Sequence, residues 1–317
     1  MNKLDLKILK DELNHKLLTV YKDGPKSLVE PINYVLSGEG KRLRPILAFI
    51  SANACGGNHK DAFSAAISIE ILHNFTLIHD DIMDNDNTRH GKKTVHEKWD
   101  NGTAILAGDA MLSLAMINLQ KCKKNNSKIN KIFVDGLLAV CEGQAIDKSF
   151  ETKSNVSIEE YIKMIDYKTG HLIGMSAEIG ALSVSNNMIF CKSFRKYGRL
   201  LGRAFQIQDD LLELYSDAAT MGKSLDSDFI LRKKTYPIIR LKEEHPTELS
   251  NAIKLIKSDV NLGKRSIQLL LLESGIKNEI EIFIMKIISD ANKLMKKNNL
   301  FTDEIENFSS LILERKR

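Results

Sequence analysis

The strongest constraint on this chain is an absence: no proline occurs between Pro45 and Pro237. Proline removes a backbone donor and clashes with the preceding turn, so it breaks helix interiors. A long span without it, and without recurring Val/Ile/Thr alternation, predicts a stack of long helices. Apolar residues recur at helical spacing. Leu4, Ile8, Leu9, Leu13, Leu17 and Leu18 form one stripe, Tyr161, Met164, Ile165, Leu172 and Met175 another, and Ile267, Leu270 and Leu271 a third. Turn residues interrupt them at Asp23-Gly24-Pro25, Cys55-Gly56-Gly57-Asn58, His90-Gly91-Lys92, Asn125-Asn126-Ser127 and Asn186-Asn187. Ser157-Ile158-Glu159-Glu160 carries a capping-box pattern. Segments 62–77 and 103–119 are apolar most of the way round, which predicts places in the middle of the bundle. No boundary has the composition shift of a linker. The expectation is an all-α fold, a single-domain bundle of long helices covering residues 1–317.

Composition narrows the function classes. A net charge of +5 suits an anionic ligand but is too small to argue for nucleic acid. Lys- and Asn-rich segment 121–130 and the tail Arg315-Lys316-Arg317 are expected to be solvated loop and terminus. Cys55, Cys122, Cys141 and Cys191 are scattered with no Cys-x-x-Cys pair, which argues against zinc or a disulfide framework and fits a reducing compartment. The start of the chain lacks a signal-peptide core. No window approaches ~18 consecutive apolar residues, so no membrane insertion is expected and the location is expected to be cytoplasmic.

The chemistry concentrates in Leu77-Ile78-His79-Asp80-Asp81-Ile82-Met83-Asp84. On a helix, Asp80 and Asp84 share a face with Asp81 beside them, and like charges at that spacing repel. Two readings fit: a solvated acidic helix end, or carboxylates holding a hard divalent cation together with phosphate oxygens. A fainter echo, Phe205-Gln206-Ile207-Gln208-Asp209-Asp210-Leu211-Leu212-Glu213, would end a second helix and could face the first across one cavity. Basic residues come in compact sets: Gly40-Lys41-Arg42-Leu43-Arg44-Pro45, Thr88-Arg89-His90-Gly91, Tyr167-Lys168-Thr169-Gly170, Gly222-Lys223 and Arg232-Lys233-Lys234-Thr235. None has the spacing of a nucleotide P-loop. Each alone is equally a solvated basic loop.

Taken together these motifs resemble the trans-isoprenyl diphosphate synthases, the polyprenyl synthetase family, over roughly residues 36–239. Gly-Lys-Arg-x-Arg-Pro, His73 through Asp84, Ala107-Gly108-Asp109, Gly143-Gln144 with Asp147, Lys168-Thr169-Gly170 and Phe205-Gln206 with Asp209-Asp210 appear in the family's order. The uninserted Asp-Asp-Ile-Met-Asp looks most like archaeal-type geranylgeranyl diphosphate synthases. The resemblance implies a bundle around a central cavity, a homodimer, and two or three Mg²⁺ ions. It implies that Asp80, Asp84 and Asp209 bind those ions, with Asp81 and Asp210 supporting them in the catalytic set beside Lys168. It assigns Arg89, Lys168, Thr169, Gln206, Lys223 and Lys233 to the allylic diphosphate, and Lys41, Arg44, His73 and His90 to isopentenyl diphosphate. Gln144 and Asp147 would orient the lysines.

The chain departs from the family pattern at Glu213, where an Asp is usual, and at His90, where a second Arg is usual. Phe75, five residues before Asp80, resembles the aromatic floor of a short product tunnel, with the small Thr76 beside it; equally, any buried helix can carry a Phe. The expected product is geranylgeranyl diphosphate, with farnesyl diphosphate as the alternative. A terpene cyclase is the rival enzyme, opposed by the basic set around Lys41 and Arg44, and a silent subunit of a heteromeric synthase is opposed by the survival of both acidic motifs.

Overall fold

A computed structural model describes residues 5–38, 40–215 and 234–313. Three helices open the chain, α1 (Leu6–Leu17), α2 (Lys26–Leu36) and α3 (Leu43–Ala54). A short 3₁₀ turn, His59–Ala62, leads into α4 (Phe63–Asp84). A small hairpin of β1 (Thr88–Arg89) and β2 (Lys92–Lys93) follows, then α5 (Val95–Lys98), α6 (Asn101–Leu119) and α7 (Asn126–Thr152). Helix α8 (Ile158–Ile165) passes through a π-helical turn, Asp166–Gly170, into α9 (His171–Leu182), and α10 (Met188–Tyr215) follows. The remainder is α11 (Tyr236–Glu244), α12 (Pro246–Ser258), α13 (Val260–Glu273), α14 (Ile276–Lys297) and α15 (Asp303–Leu313). The all-α expectation holds.

Local chemistry starts these helices where the sequence says it should. Asp5 accepts from the Lys7 and Ile8 amides at 3.1 Å, closing the first turn of α1. Ser157 and Glu160 form the reciprocal capping box of α8. One apolar core then runs from Leu13 on α1 to Ile312 on α15, with α4 and α9 deepest within it.

Three expectations fail. Segment 121–130 is not all loop, because α7 begins at Asn126. The first stripe is narrower than its spacing suggests: Leu9, Leu13 and Leu17 are buried, whereas Ile8 and Leu18 are exposed. Helix α6 is not central. It lies against α4 and α2 on one side and leaves Leu106 63% and Ile117 57% exposed on the other, with Ile105 and Met116 beside them. It is also the one helix among the described residues long and apolar enough to cross a membrane by length and composition. Its apolarity all round therefore does not mark depth in the bundle.

Candidate functional site

Helix α4 delivers its carboxylates at its C-terminal end, where the helix dipole is already negative. Asn85, with φ of 53°, caps it in the left-handed region. Asp84 is pushed up to about 6 by burial and by Asp80, against the opposing pull of Lys168 and Lys148. Burial is the larger cause, and the like charge of Asp80 adds to it. Lys168 Nζ stands 3.5 Å from Asp80 and donates to Asp147 on α7 at 2.6 Å. Burial works against the Lys168 ammonium, but Asp80 and Asp147 outweigh it and raise its pKa. Lys148 Nζ lies 3.8 Å from Asp84 and donates to the Met83 carbonyl at 3.0 Å.

Asp81 turns the other way. It is 5% exposed and accepts from Arg89 Nε at 2.6 Å. Arg89 reaches it because the hairpin turns tightly at His90 and Gly91, whose φ values of 50° and 72° suit a two-residue turn. His90 is therefore exposed at the tip beside Arg89.

The basic set before α3 splits into separate tasks. Arg42 is buried, with φ of 51°, and donates to Glu70 (2.6 Å), Asn14 (2.9 Å) and the carbonyls of Leu36 (3.0 Å) and Gly38 (2.7 Å). It is scaffold. Lys41 is exposed, and Arg44 Nη1 sits 3.0 Å from His73 Nε2. Burial, with Arg44 next, holds His73 well below the usual histidine range, so the ring is neutral and its Nε2 accepts from Arg44. Burial lowers Arg44 to about 10, while Glu70 and Asp209 support its charge, leaving it a cation at neutral pH. Arg44 Nε and Gln144 Nε2 are buried donors with no hydrogen-bond partner.

The second acidic motif lies in the last turns of α10 as described. Thr169 Oγ1, on the π turn, donates to Gln206 Oε1 at 3.0 Å, and Gln206 Nε2 donates to Asp210 Oδ1 at 3.0 Å. Asp210 Oδ2 accepts from Tyr161 OH at 2.5 Å and from the Tyr236 amide at 3.4 Å. Asp210 is thus buried and engaged, while its neighbour Asp209 is only half-buried, as is Glu213. The π turn can approach α7 because Gly143 has no side chain: a Cβ there would lie 2.3 Å from the Lys168 amide.

The structure thus brings together Asp80, Asp84, Lys168 and Asp147; Arg44 and His73; Asp81 and Arg89; and Thr169, Gln206 and Asp210. Phe75 is buried with its ring 4.7 Å from that of His79, and Thr76 Oγ1 turns back to the His73 carbonyl at 2.7 Å. Lys223 and Lys233 lie outside the described residues. Sequence reasoning missed Tyr161, Tyr236 and Lys148. The tyrosines carry no local signal, since a helical Tyr and a Tyr before Pro237 look like core, but Lys148 adjoins Asp147 and could have been found. Among the described residues no three His, Cys, Asp or Glu side chains are grouped to hold one ion.

Comparison with known proteins gives this geometry a family. The chain is 40% identical over 239 residues to the geranylgeranyl diphosphate synthase of Saccharolobus solfataricus, covering 74% of this chain and 72% of that one. It is 40% identical over 248 residues to the geranylgeranyl pyrophosphate synthase of Geoglobus acetivorans, covering 75% and 76%. The crystal structure of geranylgeranyl pyrophosphate synthetase from Pyrococcus horikoshii superposes with a TM-score of 0.87 at 33% identity, over 98% of both chains. The polyprenyl synthetase family profile matches residues 25–270, and with that span and those relatives the chain belongs to the polyprenyl synthetase family.

Proposed function

We propose that this protein condenses isopentenyl diphosphate head-to-tail with allylic diphosphates, and that geranylgeranyl diphosphate is its main product. The observation that carries this is the pairing of two neighbouring carboxylates, Asp80 and Asp84, with a half-buried cation, Lys168, which also touches Asp147. Asp80, Asp84 and Asp209 would hold two or three Mg²⁺ ions. When bound, Mg²⁺ would neutralise charge on the allylic diphosphate as it leaves.

The chain's own residues do the rest. As the allylic C–O bond breaks, both electrons go to the leaving diphosphate, and Lys168, Arg89, Thr169 and Gln206 meet the charge that develops there. Interactions that strengthen at that moment lower the barrier more than they tighten ground-state binding. Lys41, Arg44, His73 and His90 hold isopentenyl diphosphate. Its double bond attacks the cation to form the new C–C bond, and the proton then lost passes to the departing diphosphate. Neutral His73 also keeps Arg44 in register by accepting from it through Nε2. Asp81 and Asp210 hold Arg89 and Gln206 in place rather than contacting substrate. Lys223 and Lys233 are further allylic contacts that the family pattern suggests. Phe75, buried on α4 below the acidic end, closes the path of the growing chain, and Thr76 leaves the tunnel no narrower.

Incubating the purified protein with Mg²⁺, isopentenyl diphosphate and farnesyl diphosphate should yield the C20 diphosphate. No longer prenyl diphosphate in that tube ends the proposal. Phe75→Ala should extend the product past C20, and an unchanged product would remove Phe75 from its role as floor. The continuous apolar core from α1 to α15 supports a single domain. The exposed apolar residues of α6, with Val134 and Leu138 of α7, support a homodimer built on that face. Leu106→Glu should shift the mass in solution toward one chain. Four unpaired cysteines support a cytoplasmic location.

A further inference from the structure

The π turn that carries Lys168 is anchored by an ion cluster, built on one buried carboxylate and two half-buried arginines, to which neither the motifs nor the proposed chemistry assign a part. Asp166, the first residue of the turn, is 6% exposed at its side chain. It accepts from Arg199 Nε at 3.2 Å, from Arg199 Nη2 through its other oxygen, and from Arg203 Nε at 2.9 Å. Gly170 makes room for this carboxylate, because a Cβ there would sit 2.7 Å from Asp166 Oδ1. A buried carboxylate with two guanidinium partners is a poor device for stability alone, since apolar residues of similar volume serve as well or better. What it supplies is geometry.

That geometry converges on one face of α10. Arg199, Arg203, Gln206 and Asp210 follow one another at helical spacing. The two arginines hold Asp166, and Gln206 holds Thr169. Lys168 lies between those two attachments, so its backbone is fastened to α10 on both sides. Its Nζ reaches the opposite way, to Asp147 on α7 and Asp80 on α4.

We propose that Asp166, clamped by Arg199 and Arg203, is a positioning residue that aims Lys168 at the allylic diphosphate and ties it to the helix bearing Asp209. The inference rests on the function proposed above. If the clamp acts through Lys168, its loss matters only while Lys168 is present. Binding of farnesyl diphosphate with Mg²⁺, in the absence of isopentenyl diphosphate, is measured by calorimetry for the parent protein, Asp166→Asn, Lys168→Met and the double variant. Asp166→Asn should weaken binding about tenfold in the parent and less than about twofold in the Lys168→Met background, the coupling expected of groups acting in series. Equal weakening in both backgrounds, or none in the parent, overturns the proposal. If Asp166→Asn does not fold, Arg203→Gln takes its place in the same cycle, with the same two results deciding. A parent protein that neither binds nor extends farnesyl diphosphate refutes the proposed function instead.

Discussion

The two Asp-Asp pairs look alike in sequence and divide their work in the same way, but they join different parts of the fold. In each, the first carboxylate (Asp80, Asp209) is half-buried and the second (Asp81, Asp210) is buried and hydrogen-bonded into the protein. Asp81 accepts from Arg89. Asp210 accepts from a phenol, a side-chain amide and a backbone N–H. The first pair thus ties a helix end to the hairpin, whereas the second knits α8, α10 and α11 together. On the function proposed above, a doubled aspartate is one metal ligand plus one brace, and what the brace joins depends on the neighbouring elements.

The sharpest test of that division removes the outward members. Asp80→Asn and Asp209→Asn should each lower kcat by about 10²–10³-fold, the range for losing a group that stabilises developing charge. Steady-state kinetics should show KM for isopentenyl diphosphate little changed; a loss confined to KM would break the comparison. Breaking the braces should cost stability as well as any activity their partners carry. Arg89→Met leaves the buried Asp81 without its closest cation and should cost about 3 kcal/mol. Tyr161→Phe removes one of the donors to the buried Asp210 and should cost about 1–2 kcal/mol. Urea unfolding ranks the two, and the reverse order would show that Asp210 carries the greater demand.

A smaller effect is expected at the hairpin tip. His90 lies on the isopentenyl side of the proposed site, and a protonated ring would bind diphosphate better than a neutral one. KM for isopentenyl diphosphate should rise a few-fold between about pH 6 and 8.5, across the ordinary histidine range, and His90→Arg should flatten that rise. A parent profile as flat as that of the variant would take His90 out of the site.

The smallest effect concerns Asp84. Its carboxyl is raised to about 6 in the folded chain, so below about pH 4 both states hold the proton, and between pH 4 and 6 only the folded state does. Stability without Mg²⁺ therefore falls as pH rises through that window. Asp84→Asn should raise Tm at pH 8 by about 2 °C, allowing for solvent screening, and by less at pH 5. A lower Tm at pH 8 would show that Lys148 and Lys168 overcompensate the repulsion from Asp80.

Much of this was legible in the chain itself. The proline-free span and the breaks at Gly and Asn gave the helices, and the ordered motifs gave most of the site. What stayed hidden depends on partners far away in sequence. Asp166 and its arginines are separated by 33 and 37 residues, and Tyr161 is 49 from Asp210. Such pairs leave no periodic trace. The task of Arg42 stayed hidden as well, since among Lys41, Arg42 and Arg44 nothing in the spelling says that the middle cation is the buried one. Helix α6 misled because its composition is apolar on every face, and composition alone does not say which face packs against α4 and α2 and which is left exposed.

The π turn has a consequence for how this protein tolerates insertions and deletions. A residue advances the chain by about 100° around an α-helix axis, and a π turn accommodates one residue beyond what an α turn would hold. Deleting a single residue between Asp166 and Gly170 would let the segment relax into unbroken α-helix from Ile158 to Leu182. Because the wide turn already absorbs that residue, the helices on either side would keep nearly their present phase, whereas the same deletion within α8 or α9 would rotate one part against the other by about 100°. The damage of shortening the turn would therefore stay local, at the aim of Lys168 and Thr169, and leave Tyr161 facing Asp210. The turn works as a slack joint, and a one-residue deletion there should unfold the protein less than one in the helices it links.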